Sequence, residues 1–266
     1  MTIDDIDFNA LYKQHLIACN HYHLPPDKWD KKAPKMAENL VGKPSCYNAQ
    51  LMAAMQMQPD ETLLDIGCGP GTFAVPLAQH CRQVYALDYS TGMLAALAEF
   101  KHALQLDNLH LLHKSWADNW DDVPVADVVL ASRSTLVDDL DDMIAKICAK
   151  AKKRVYLTSV TQRHFLDEGV FSAIGRNDVG FPTYIYLLNR LYQKGIQANL
   201  SFIETESGRF MGETYEDLLN SVEFSLGPLN DKEKQGLFAF YRQKQQNNEA
   251  IEHGQRKWAL IWWNVA

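Results

Sequence analysis

No apolar run in this 266-residue chain approaches the roughly 20 residues that cross a bilayer, and the acidic start from Met1 to Asp7 lacks the apolar core of a signal peptide. Cysteine is sparse. Cys19, Cys46, Cys68, Cys81 and Cys148 are scattered, odd in number and form no C-x-x-C pair, which argues against a disulfide scaffold, a zinc clip or a redox couple. The expectation is a cytoplasmic protein that neither spans a membrane nor is secreted. Positive charge is also short: 26 Lys and Arg face 33 Asp and Glu, for a net charge of -7. Nucleic-acid binding depends on many Lys and Arg contacts to phosphates, so that partner class is disfavoured. Two local basic clusters, Lys28, Lys31, Lys32 and Lys35, and then Lys150, Lys152, Lys153 and Arg154, read as a solvated helix face and a helix C-terminus.

What is present is an ordinary globular composition, 47% hydrophobic and 22% charged, long enough to bury a core without staples. From Leu51 to Val160, short apolar runs alternate with amphipathic stretches, the pattern of successive βα units. Strands are expected at Thr62 to Ile66, Gln83 to Leu87, Leu109 to His113, Asp127 to Ala131 and Arg154 to Thr158. Residues 161–197 are rich in aromatics (Phe165, Phe171, Phe181, Tyr184, Tyr186, Tyr192) and read as a helical insertion after the fifth strand. Ala198 to Glu204 then reads as a strand, Thr214 to Val222 and Asp231 to Gln246 as helices, and Lys257 to Val265 as a closing apolar strand. Residues 1–50, interrupted by Pro25-Pro26, Pro34 and Pro44, read as an N-terminal helical flap on the main domain, 51–266. The fold class expected is α/β, a doubly wound, mostly parallel seven-stranded sheet.

The strongest signal is TLLDIGCGPGTFAVP, Thr62 to Pro76: an apolar strand, the acidic Asp65 near its end, then Gly67, Gly69 and Gly71 opening a helix. Glycines at such a turn let a ligand touch the backbone. The spacing is G-x-G-x-G rather than the dinucleotide fingerprint G-x-G-x-x-G, and the carboxylate suits a cationic ligand better than a pyrophosphate.

DIGCGPG resembles motif I of the class I S-adenosylmethionine-dependent methyltransferases, a Rossmann-like family. The resemblance implies that Asp65, Gly67, Cys68, Gly69 and Gly71 wrap the methionine part of the cofactor. It implies that Asp88, ending VYALD, binds both ribose hydroxyls. Tyr89 to Leu94 is similar to the rest of the family's D-x-S-x-x-M-L string, with Tyr89 and Met93 against adenine. At the third unit the frequent Gly-Asp-Ala is replaced by Ser115-Trp116-Ala117, where the Ser115 hydroxyl and the Trp116 N–H are candidate adenine contacts. The fourth strand ends Leu130-Ala131-Ser132-Arg133-Ser134, at the sheet edge where ligands sit, with Ser132 a cofactor candidate. It is not N-P-P-Y or D-P-P-Y, which weighs against base methylation through that pattern. Trp29-Asp30-Lys31-Lys32-Ala33 resembles a W-D-x-x-A string of small-molecule members.

The implied reaction is direct displacement, with an acceptor nucleophile attacking the methyl carbon in line with the departing sulfur, and no metal is required. His164 is a candidate proton acceptor; its alternative is a surface or packing histidine. Arg133 is a candidate clamp for an acceptor carboxylate; its alternative is a salt bridge to Asp138 or Asp139. Cys19, His21 and His23 lack a second cluster to complete a metal site. Trp258, Trp262 and Trp263 are assigned to core packing. Methyl transfer to a small molecule leads, ahead of an RNA or protein methyltransferase and of a cofactor-binding sensor or partner subunit without transfer activity.

Overall fold

The computed structural model describes residues 2–19, 25–38, 40, 45–164, 166–176, 179–205, 214–251 and 257–265. Its strands are β1 (Thr62–Ile66), β2 (Gln83–Asp88), β3 (Leu109–His113), β4 (Ala126–Ser132), β5 (Ala151–Val160), β6 (Asn199–Glu204) and β7 (Lys257–Asn264). They form one sheet in the order β3-β2-β1-β4-β5-β7-β6. The first five are parallel, and β7 lies antiparallel between β5 and β6. This is the doubly wound, mostly parallel sheet expected. Chain order reverses between β1 and β4, so their carboxyl ends frame the crevice where open α/β sheets hold ligands.

Every residue of β1 is buried, as a central strand covered on both faces requires. Strand alternation sends Leu63 to one face and Leu64 to the other. On the first face lie α3 (Cys46–Met55), α4 (Ala74–Ala78) and α5 (Thr91–Ala103), which contribute Leu51, Leu77 and Leu97. On the second lie α1 (Phe8–Ala18), α6 (Leu140–Lys150) and α8 (Tyr184–Gln193), which contribute Leu16, Ile144 and Leu187. Each leucine so buried stabilises the fold by about 1.5–3 kcal/mol. A third apolar cluster is separate: α7 (Glu168–Ile174), α9 (Tyr215–Leu226) and α10 (Asp231–Gln246) pack through Val170, Val222 and Leu237 into a helical cap.

The segment boundaries differ from expectation in three places. Helix α3 runs through residue 50, and Leu51 and Met55 are fully buried, so it belongs to the sheet's core rather than to a flap. Pro34 does not interrupt α2 (Pro26–Glu38), which begins on Pro26, the favoured first helical position for proline. Within the 161–197 insertion between β5 and β6 the two helices part company, α7 joining the cap while α8 packs on the sheet. The expected 214–222 helix continues to Leu226, where Gly227 at φ +78° ends it.

Trp258 and Trp263 are buried, and Trp262 stacks on Tyr156. Lys28, Lys31 and Lys35 are exposed, but the Lys32 ammonium lies over the Phe224 ring. In the second basic cluster Arg154 and Lys153 pair with the buried Glu61. Cys19 is buried with its Sγ on the Leu16 carbonyl, while His21, His23, Pro44 and Phe165 lie outside the described residues.

Candidate cofactor and acceptor site

The glycine loop is held by the strand beside it. The Gly67 and Cys68 amides both donate to the Leu87 carbonyl, at 2.7 and 3.1 Å, and the Gly69 amide donates to Asp88 Oδ2 at 2.8 Å. The second Asp88 oxygen accepts the Ser90 amide at 2.9 Å. Each carboxylate oxygen therefore spends one acceptor site on the loops and keeps another. The three glycines have different jobs. A Cβ on Gly67 would lie 2.5 Å from Ser134 Cβ, and one on Gly71 would lie 2.4 Å from Leu97 Cδ1, whereas one on Gly69 would meet nothing within 4 Å. Gly67 and Gly71 are required by packing; Gly69 offers an open backbone surface. Beneath the loop Asp65 is buried, and its Oδ2 accepts no hydrogen bond among the described residues. Burial, reinforced by the neighbouring Asp88 charge, pushes its pKa up to about 7.

Beside β2 and β3 an open cleft of about 510 Å³ is lined by Pro26, Tyr89, His113, Lys114, Ser115 and Asp118. Ser115 faces it, with its hydroxyl donating to Asp118 at 2.9 Å.

The ends of β4 and β5 carry a second polar cluster. The buried Tyr47 hydroxyl lies 2.7 Å from both Ser132 Oγ and Thr158 Oγ1, and Thr158 Oγ1 accepts the Arg133 amide at 2.9 Å. Arg133 has φ +58°, the left-handed region that non-glycine residues rarely occupy. Its guanidinium carbon sits 3.7 Å from the centroid of Tyr47 and 5.1 Å from that of Trp258.

Residues 63–154 match the family model for a methyltransferase domain. These residues form a methyltransferase domain on a fold of the class I type. A protein of Haemophilus influenzae, itself uncharacterized, is 79% identical over 265 residues, covering all of this methyltransferase and 99% of the relative. A demethylmenaquinone methyltransferase of Oceanobacillus iheyensis is 38% identical over 103 residues, a match confined to 33% of this chain and 43% of that one. Among solved structures, a Bacillus halodurans protein provisionally assigned as a methyltransferase superposes with TM-score 0.59 at 13% identity, covering 82% of this chain and 98% of that one. Coclaurine N-methyltransferase gives 0.50 at 14% identity, covering 98% and 95%. At these identities the structural likenesses speak for the fold. The chain is an S-adenosylmethionine-dependent methyltransferase, and no helix among the described residues is long and apolar enough to cross a membrane.

The residues present fit that cofactor. Its methionine end carries an ammonium and a sulfonium, which a buried carboxylate with an unsatisfied oxygen and an open glycine backbone accommodate. The remaining acceptor sites of Asp88 suit two ribose hydroxyls, and Tyr89 and Ser115 line the cleft beside β2 and β3.

Two expected contacts of the methyltransferase are revised. The Trp116 N–H donates to the Ser134 carbonyl at 2.9 Å while its ring stacks on Trp120, so that N–H is already engaged. Met93 is 2% exposed and is not among the residues that line the cleft. The Cys68 side chain is likewise buried, which leaves its backbone to the loop surface. His164 packs against Phe171 of the cap with ring centroids 4.0 Å apart. Arg133 forms no ion pair with Asp138 or Asp139; Asp139 pairs with Lys13 instead.

Sequence reasoning missed Tyr47 and Thr158 as partners of Ser132. It saw Asp30 only as a motif letter, whereas Asp30 Oδ1 accepts the Ser90 hydroxyl at 2.6 Å and the Gly92 amide at 2.8 Å.

Proposed function

We propose that this methyltransferase acts on a small-molecule acceptor held between the carboxyl edge of the sheet and the cap of α7, α9 and α10. The observation that carries this reading is the cap itself, a helical unit with its own apolar core built from the excursions after β5 and between β6 and β7. Helix α2 links it to the cofactor side: Trp29 meets Phe224 of α9 edge to face at 5.6 Å, and Asp30 accepts the Ser90 hydroxyl and the Gly92 amide. A cap tied to the cofactor-binding strands excludes water from a small substrate; a macromolecule would need an open edge.

Bound S-adenosylmethionine supplies a methyl group on a sulfonium, whose sulfur leaves without protonation. The chain's own work is then orientation. Asp65, Asp88 and the Gly69 backbone hold the cofactor, the Tyr47, Ser132 and Thr158 hydroxyls line the neighbouring strand ends, and the fixed geometry replaces a bimolecular encounter.

The test incubates the protein with methyl-labelled S-adenosylmethionine and pools of small-molecule acceptors, and follows label by mass spectrometry. Saturable label in a small molecule is expected. Label confined to RNA or protein would move the acceptor to a macromolecule. Tight S-adenosylhomocysteine binding with no labelled product would make the chain a cofactor sensor.

A further inference from the structure

We propose that Arg133 recognises an anionic group of the acceptor, so that the substrate carries a carboxylate or phosphate. This rests on the methyl-transfer reading above and names the substrate class for that site. Most arginines described here end on a carboxylate: Arg82 on Asp127, Arg154 on Glu61, Arg176 on Glu233 and Arg190 on Asp141. Arg133 has no such partner among the described residues; at the carboxyl end of β4 the residue keeps solvent access, although burial of the guanidinium against Tyr47 lowers its pKa.

Three features preorganise it. The backbone is held at φ +58°, with the amide anchored on Thr158. One face of the guanidinium lies on the Tyr47 ring, which is itself fixed by Ser132 and Thr158. Trp258 completes the aromatic support. A guanidinium has five N–H donors, and contact with Tyr47 leaves donors for the bidentate geometry that matches carboxylate and phosphate. Backbone strain of this kind persists where the surroundings impose it.

Position separates the acceptor from the cofactor's own carboxylate. Tyr47 spans β4 and β5, and Trp258 lies in β7 opposite Val160 of β5. The guanidinium thus stands over β4, β5 and β7, on the far side of β1 from Asp88 at the end of β2 and beside the connections that build the cap.

The experiment saturates the protein with S-adenosylhomocysteine and titrates it with benzoate and, separately, benzamide, reading tryptophan fluorescence. Benzoate should bind saturably in the millimolar range and benzamide should not. Arg133→Gln and Arg133→Asn, the latter because asparagine accepts left-handed backbone, should weaken benzoate by about 10- to 100-fold. Both should leave S-adenosylhomocysteine affinity within about twofold, the independence of non-contacting sites. Equal behaviour of benzoate and benzamide, or no binding of either, overturns the proposal. So does a loss of S-adenosylhomocysteine affinity matching the loss of benzoate, which would assign Arg133 to the cofactor's carboxylate. None of these readouts requires turnover, so the absence of a labelled small-molecule product would count against methyl transfer without touching this result.

Discussion

Asp30 caps a helix sixty residues further along the chain: its Oδ1 lies 2.6 Å from Ser90 Oγ, and the same oxygen accepts the Gly92 amide at the start of α5. Ser90 in turn caps that helix through the Met93 amide at 3.1 Å. Any side chain on Gly92 would collide with Asp30, since a Cβ there would lie 2.8 Å from Asp30 Cα. The W-D-x-x-A segment is therefore docked on the loop that follows Asp88. Asp30→Ala should release α2, with amides of 26–38 exchanging several-fold faster and S-adenosylhomocysteine binding more weakly, whereas unchanged exchange would mean that the apolar contacts of Trp29 suffice. The Ser90 and Gly92 hydrogen bonds hold the Asp30 carboxyl below the usual range. A depressed folded value means that this docking is complete above the ordinary carboxylate pKa and is lost as pH falls through the lowered one.

The glycines of the loop divide by what a methyl group would meet. Gly67→Ala and Gly71→Ala combine a left-handed backbone with contacts of 2.5 and 2.4 Å, so each should lose about 2–4 kcal/mol of folding stability by chemical denaturation. Gly69→Ala meets no neighbour and carries only the left-handed cost of about 1–2 kcal/mol. Its larger effect should fall on S-adenosylhomocysteine affinity, and the bulkier Gly69→Val should abolish binding in a folded protein. If Gly69→Val binds normally by calorimetry, the loop is not the cradle.

Asp88 has two duties that substitution can separate. Asp88→Ala removes the acceptor for both the Gly69 and Ser90 amides as well as the ribose anchor, so stability and affinity should fall together. Asp88→Asn keeps one acceptor oxygen and most of the shape. It should retain the fold yet weaken S-adenosylhomocysteine by about 1.5–3 kcal/mol, the scale of hydrogen bonds to a charged group. A variant as stable and as tight as the wild type would remove Asp88 from the ribose.

The sheet and the glycine loop were legible because both are written in local pattern: apolar runs at strand length, and DIGCGPG at a strand-to-helix turn. What was not legible depends on contacts between distant residues. Nothing near Tyr47 in the chain announces that its hydroxyl bridges Ser132 and Thr158, 85 and 111 residues away. The Trp116 N–H was expected at adenine, but the Trp120 stack turns the indole toward the Ser134 carbonyl. Prolines misled in the other direction, since Pro34 is accommodated within α2. The cap escaped notice because its helices come from two excursions on either side of β6 and meet only in three dimensions.

The buried carboxyl of Asp65 makes the sharpest prediction, because its sign is opposite to that of a salt-bridged aspartate. Its pKa is raised from 3.8 to about 7 by burial and by Asp88. The folded state therefore holds this proton more tightly than the unfolded chain. The resulting stability is fully present below about pH 3.8 and is lost as pH rises through about 7. At about 1.4 kcal/mol per unit, this single group should cost the ligand-free protein about 2–4 kcal/mol between pH 5 and pH 8. A bound ammonium or sulfonium reverses the preference by favouring the ionised carboxylate. S-adenosylhomocysteine retains the ammonium, so its affinity should rise with pH up to about 7, with proton release visible as a dependence of binding enthalpy on buffer ionisation heat. Asp65→Asn should flatten both profiles while the fold persists. Equal proton release in wild type and variant would mean that the titrating group is not Asp65, and that its unsatisfied oxygen does not face the cofactor's charge.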